Sequence, residues 1–291
     1  MRRFLVSIGK AACYLLLFLG IQVLVSSGYL YYRVIQQLAQ KDGALTVPSM
    51  DEFADMLNAL SGEILKQQNL LYLISAGFVI FVLVLFFRMR GKRLLREVWA
   101  MPVQIRSLWP VVLLAVSFAV LICYAVGYIP WPQSAIAEYE ALYSLTMDEG
   151  VIALITTVLV APIIEELIFR GLIFTRLCGG MPAIPAAILA STVFAAMHGT
   201  FIWAAYAFVG GMMMLFVYTK YRSLYASMLM HILFNFIGGY VVGYIPELGT
   251  LFDAGLITAG IAATAALVWY IHKLPREKID VTKEFTPVIK E

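Results

Sequence analysis

The chain has 291 residues, of which 62% are hydrophobic and only 13% charged, with a formal net charge of +3 and a mean hydropathy of +0.87. A soluble domain carries about a quarter charged residues, so this balance excludes an ordinary soluble fold and predicts an all-α, polytopic membrane bundle. Nothing suggests nucleic acid as a partner, and Cys13, Cys123 and Cys178 sit in or beside apolar segments without the CxxC spacing of a metal site.

A spanning helix needs about 20 mostly apolar residues. By that rule the chain holds about eight: 4–26, 70–87, 108–129, 151–176, 183–199, 202–219, 224–244 and 250–271. The first follows "MRR" but is longer than a signal-peptide core, and "SSGYLYYR" after it is a poor cleavage site, so it is expected to be retained. Next, "SMDEFADMLNALSGEIL" sets Phe53, Met56, Leu57, Leu60 and Ile64 at helical spacing, and Ser49 with Glu52 forms a capping box. This predicts an amphipathic helix on the outer membrane surface. The segment "RMRGKRLLREVWAMP" gathers five basic residues within 88–96 and reads first as an anchor against anionic lipid, with substrate docking as the alternative. Between the fifth and sixth spans "HGTF" leaves almost no loop. A short polar tail ends the chain.

Lys and Arg set the orientation. With the N-terminus inside, seventeen of them fall on the cytoplasmic side and three (Arg33, Lys41 and Lys66) outside, with Arg170 within a span. Both termini are expected to be cytoplasmic.

Few ionisable residues remain at membrane depth, where each costs about 2.5–3.5 kcal/mol on insertion scales. They are Glu165, Glu166 and Arg170 in the fourth span and His198 at the end of the fifth; His231 lies in the seventh, with Asn235 beside it. Glu166 and Arg170 are spaced i,i+4 and read as an ion pair that positions the helix. Glu165 is turned about 100° from Glu166 and need not share the arginine. His231 and Asn235 share a face one turn apart. Singly, a histidine or an asparagine there is most simply a satisfied core group. Counted from the cytoplasmic ends at about 1.5 Å per residue, however, Glu165, His198, His231 and Asn235 reach similar depths and can meet in one chamber.

A carboxylate in an apolar pocket can take a proton from water, a histidine can share that water or protonate a leaving amine, and an imidazole with an amide can stabilise an oxyanion. That set predicts a water-activating amide hydrolase. No GxSxG is present and no cysteine has a basic partner. Two histidines and a carboxylate also make a zinc ligand set; HExxH is absent, so a metal would be assembled across three helices from Glu165, His198 and His231.

These residues resemble a known family. "EELIFRG" resembles its EExxxR motif, "FAAMH" (Phe194 to His198) its FxxxH motif and "HILFN" (His231 to Asn235) its HxxxN motif. This is the CPBP family of intramembrane endopeptidases, the CAAX-protease and bacteriocin-processing or Abi group, which includes the Rce1-type CAAX prenyl proteases. The likeness covers about residues 108–245. It implies that Glu165 activates water with help from His198, that His231 and Asn235 stabilise the oxyanion, that Glu166 and Arg170 support the site, and that Phe194 lines the chamber. It further implies a cytoplasm-facing, lipid-accessible cavity and a membrane-associated peptide or protein substrate. The family is described both as metalloprotease and as glutamate-dependent; the residues favour glutamate with no cofactor required, and zinc is the alternative. The chain accordingly divides into an N-terminal pair of spans with the external helix and basic loop (1–107), a catalytic helical core (108–272) and a cytoplasmic tail (273–291). A bacterial plasma membrane is the expected setting. A scaffold without catalysis and a proton-coupled transporter are the rival readings; the second commonly carries paired repeats, and none is visible.

Overall fold

The computed structural model describes residues 2–40, 49–146, 150–245 and 248–275. Lys41 and the tail from 276, both used above to judge orientation, lie outside them.

Every regular element among the described residues is helical. Among the described residues, seven helices are long and apolar enough to cross a membrane. The first, α1 (Arg2–Gln40), has 39 residues and is about 58 Å long. It therefore runs well beyond the expected span, and α2 (Met50–Lys66) packs on its projecting part. The capping box of α2 is formed: Glu52 N–H donates to Ser49 Oγ at 3.3 Å, and Ser49 N–H to Glu52 Oε2 at 2.9 Å. The apolar stripe of α2 does not lie free on a surface. Leu60 is buried and Phe53, Met56, Leu57 and Ile64 are half-buried, while Arg33 of α1 pairs with Glu63 at 2.8 Å. At Gln67 the chain passes almost directly into α3 (Gln68–Met89).

The rest of the bundle comprises α4 (Trp109–Gly127) and the shorter α5 (Gln133–Thr146), followed by α6 (Val151–Leu177). Then come α7 (Ala183–Ala196), α8 (Phe201–Tyr221), α9 (Leu224–Tyr244) and α10 (Thr250–Lys273). One expected span is corrected. α7 has 14 residues, about 21 Å, which is short of the hydrocarbon thickness of roughly 30 Å. It ends early because Gly199, at φ 79°, takes the left-handed conformation that a glycine adopts without strain. Thr200 then caps α8 by accepting from Trp203 N–H at 3.3 Å. "HGTF" is thus a tight turn, and His198 stands in it rather than on a helix.

α6 and α9 are irregular where they carry the polar residues. In α6, π-helical stretches Ile155–Val160 and Glu166–Phe174 flank the α-helical Ala161–Glu165, which contains Pro162. α9 turns π-helical at Ile237–Val241. Such bulges concentrate at functional sites.

The basic loop after α3 is built into the bundle. Its one-turn helix Leu94–Glu97 leads to Val98, fully buried, and Trp99, whose ring stacks on Tyr218 at 5.7 Å. Tyr218 donates its hydroxyl to Val98 O at 3.2 Å, Leu224 N–H donates to Trp99 O at 2.9 Å, and Arg176 pairs with Glu97 at 3.0 Å. Gly171, just after Arg170, lies against this plug: a Cβ there would come within 2.6 Å of Val98 Cβ. Gly171→Ala is therefore expected to cost about 1–3 kcal/mol through overpacking, read as a lower unfolding temperature in detergent than for Gly62→Ala, where nothing lies within 4 Å.

Candidate active site

The fourth-span charges divide. Glu166 and Arg170 are 0% and 1% exposed, with Arg170 Nη1 at 2.9 Å from Glu166 Oε1. The guanidinium lies 4.3 Å over the Phe194 ring, and its Nη2 donates to Gly211 O at 3.3 Å. Gly211 leaves room for close packing, since a Cβ there would meet Ser191 at 3.1 Å. Glu165 is 20% exposed and forms part of the wall of a chamber of about 730 Å³.

His231 joins the two carboxylates. Its Nδ1 is 2.9 Å from Glu166 Oε1 and its Nε2 is 3.8 Å from Glu165 Oε2. An ionised Glu166 can only accept, so Nδ1 carries a proton and Nε2 is the nitrogen left toward Glu165. Glu166 is therefore more than Arg170's partner, because it also sets the orientation of the imidazole. His198 is oriented in a similar way, with Nδ1–H donating to Phe194 O at 2.8 Å. Phe194, 2% exposed, does more than line the chamber. Its ring meets His198 edge-on at 4.7 Å and His231 at 5.9 Å, and it packs on Phe169 at 5.1 Å. Asn235 donates from Nδ2 to Thr157 O at 2.9 Å, and the Thr157 hydroxyl is 3.0 Å from that of Tyr240. Glu165, His198, His231, Asn235 and Phe194 all line the one chamber, while Glu166 and Arg170 stand behind it.

Other residues at the chamber carry no signal in the motifs. Tyr72 of α3 has a buried hydroxyl close enough to Glu165 to interact with it, without a well-formed hydrogen bond between them. Phe18, Gln22 and Ser26 of α1 also line the wall, so the first hundred residues contribute to the site. From α5 come Tyr139 and Tyr143. Burial pushes both phenols up from their ordinary value, keeping them protonated, and Tyr143 donates to Gly239 O at 3.5 Å. A buried tyrosine at helical spacing looks the same in sequence whether it packs or faces a cavity.

The chamber's position corrects one expectation. Its deepest lining residues toward the basic loops are Phe169, Met214 and His231, each about 10 Å or more short of the helix ends on that side. At the opposite end the lining runs to Gln68, Asn69, Val126, Gly199, Trp203 and Gly243, at or near the helix termini. A cytoplasmic basic face and a cytoplasm-facing cavity are thus incompatible in this fold.

Among the described residues no three His, Cys, Asp or Glu are grouped so as to hold an ion. Glu165, His198 and His231 do not fit zinc as they stand.

A largely apolar chamber in a helical membrane bundle, with one carboxylate reaching it and the neighbouring one committed to an arginine, defines a candidate hydrolytic site within a membrane. Residues 148–237 match the family model described as type II CAAX prenyl endopeptidase Rce1-like. That segment contains every motif residue above, so the likeness to the Rce1-like family of membrane proteases rests on the part of the chain that builds the chamber's polar residues. No curated protein and no solved structure matches the chain.

Removing one member of a buried ion pair leaves the other charge uncompensated and typically costs about 3–5 kcal/mol. Arg170→Ala is expected to lose most of its folded protein in detergent, judged by size-exclusion recovery and unfolding temperature, whereas Glu165→Gln leaves both near wild type.

Proposed function

We propose that the protein is an intramembrane endopeptidase that hydrolyses peptide bonds of membrane-associated peptides or proteins by a glutamate-activated water, without a metal. One observation carries this reading: Glu166 is enclosed by Arg170 and His231, while its neighbour Glu165 reaches the chamber. The family description supports prenylated, CAAX-like peptides as one substrate type.

In this mechanism Glu165 takes a proton from water as the water oxygen bonds to the scissile carbonyl carbon. The carbonyl electron pair moves to oxygen, where His231 and Asn235 donate. His231 does so from Nε2 in its doubly protonated form, with Glu166 as acceptor at Nδ1, and Asn235 uses the amide hydrogen not engaged by Thr157. The C–N bond then breaks as the proton held by Glu165 passes through His198 Nε2, the nitrogen not bound to Phe194, to the leaving nitrogen. The new carboxylic acid gives its remaining proton to the amine, so that a carboxylate and an ammonium result and Glu165 is ionised again. Tyr72 positions Glu165 and its water.

General acid–base groups contribute about 10²–10⁴-fold, and an oxyanion donor about 10²–10³-fold. Glu165→Gln and His198→Ala are each expected to reduce turnover by about 10³-fold or more, Asn235→Ala by about 10²-fold, and Tyr72→Phe by less than tenfold. The measurement is quantitative proteomics of membranes carrying wild type or Glu165→Gln, followed by purified-enzyme assays on the peptides that differ. If no peptide differs, the protease reading is wrong and a non-catalytic scaffold replaces it. Full activity after exhaustive chelation is expected, and its loss with recovery on zinc would replace the metal-free mechanism. A transporter is disfavoured because the plug at Val98 and Trp99 lies between the chamber and the basic side.

A further inference from the structure

We propose that the chamber receives its substrate from the end of the bundle opposite the basic loops. The bond cleaved then lies in a membrane-tethered peptide segment presented at the extracytoplasmic face. This deepens the endopeptidase reading and rests on it for the cleavage itself; the direction of access rests on geometry and charge.

The floor of the chamber is on the basic side. Val98 fills the space against Gly171, Trp99 stacks on Tyr218, and the backbone of 98–101 is tied to the α8–α9 turn through Leu224 N–H and the Ser223 hydroxyl, which donates to Met101 O. Further along the same loop, Tyr221 donates its hydroxyl to Ser107 O at 3.0 Å. No polypeptide reaches Glu165 through this packing without displacing it.

The mouth lies at the other end. There α7 stops at Ala196, a turn or more short of a full crossing, and this leaves a gap beside His198. α5 lies across that gap. Tyr139 packs on Trp203 at 6.3 Å and Tyr206 at 6.5 Å, and Tyr143 reaches Gly239 on α9. The lining combines aromatic faces with the amides of Gln68, Asn69 and Asn235 and carries no Lys or Arg among the described residues. Such a wall suits an extended apolar segment whose backbone groups need hydrogen-bond partners. It offers no cation for a phosphorylated or strongly acidic ligand.

Charge then says which face this is. Arg88, Arg90, Lys92, Arg93, Arg96, Arg106, Arg176, Lys220 and Arg222 all lie at the plugged end. At the mouth end the described residues hold only Arg33, paired with Glu63, and Lys66. Basic residues near the ends of spans are retained in the cytoplasm, which puts the plug inside and the mouth outside.

The test uses a native thiol. Cys123 lines the chamber; in a Cys13→Ala, Cys178→Ala background it is the one cysteine. Ser144→Cys on α5 and Arg90→Cys in the basic loop, each in a cysteine-free background, mark the two faces. A membrane-impermeant methanethiosulfonate reagent is applied to right-side-out and inside-out vesicles. Cys123 is expected to react at least about tenfold faster in right-side-out vesicles, together with Ser144→Cys, while Arg90→Cys reacts in inside-out vesicles. Met197→Cys, at the chamber rim, repeats the measurement should Cys123 be unreactive from both sides. Faster reaction of the chamber thiols from the Arg90→Cys face, or Ser144→Cys found on the cytoplasmic side, overturns the proposal. The labelling reads no catalysis, so its outcome is independent of the proteomic comparison. If cleavage is found there, the Glu165-dependent peptides are expected to come from extracytoplasmic segments of anchored proteins, and cytoplasmic segments would contradict the assignment.

Discussion

The buried pair between Glu166 and Arg170 is the constraint on which the site depends. Two charges with essentially no solvent exposure are tolerated only when each is neutralised and hydrogen-bonded. Arg170 is neutralised by the Glu166 carboxylate, donates to the Gly211 carbonyl and lies over the Phe194 ring; Glu166 engages Arg170 and His231 through Oε1, while its Oε2 has no hydrogen-bond partner among the described residues. These contacts fix the rotation of α6 against α7, α8 and α9. Once that rotation is set, the adjacent Glu165 faces the chamber. A side chain that must stay charged in apolar surroundings thus serves as the locating pin for one that must stay accessible.

Around this pin the helices depart from regularity in ways that make room. The π-helical stretches of α6 and α9 shift the faces of helices that would otherwise close on each other. The early end of α7 at Gly199 opens a gap beside His198, and small residues such as Gly211 let α8 approach closely where packing is needed. The chamber is therefore wide near one end of the bundle and absent near the other, where the basic loop folds inward. Val98 and Trp99 turn what looks like a lipid anchor into the floor of the site, while its arginines and lysines remain outside that packing.

Much of this was legible in the sequence. Apart from α1, which runs on to Gln40, and α7, which is too short to cross, hydropathy located the spans to within a few residues, because in hydrocarbon a backbone has little choice but helix. The scarcity of ionisable groups at membrane depth singled out Glu165, Glu166, Arg170, His198 and His231, and the i,i+4 spacing of Glu166 and Arg170 identified the pair. The capping box at Ser49 and Glu52 marked the start of α2. The departures from expectation arise where helices are not independent of their neighbours. The apolar stripe of α2 predicted a surface helix, yet that stripe is partly buried, Leu60 fully, where α2 packs on the overlong α1. The span drawn over 183–199 assumed that an apolar run continues as helix until polarity stops it, whereas a left-handed glycine stopped it first.

Composition and spacing by themselves determined the helical membrane class, the charge asymmetry of its two faces and the residues from which a site can be made, since these follow from hydration cost and from the angle between residues on one helix. Tertiary structure alone decided that His231 bridges Glu165 and Glu166, that Tyr72 reaches the site from a helix carrying no motif, and that the chamber opens away from the basic loops. Each of these is a relation between helices. It is set by how side chains such as Phe194, Val98 and Gly171 interlock across interfaces, and periodicity along one chain carries no record of that.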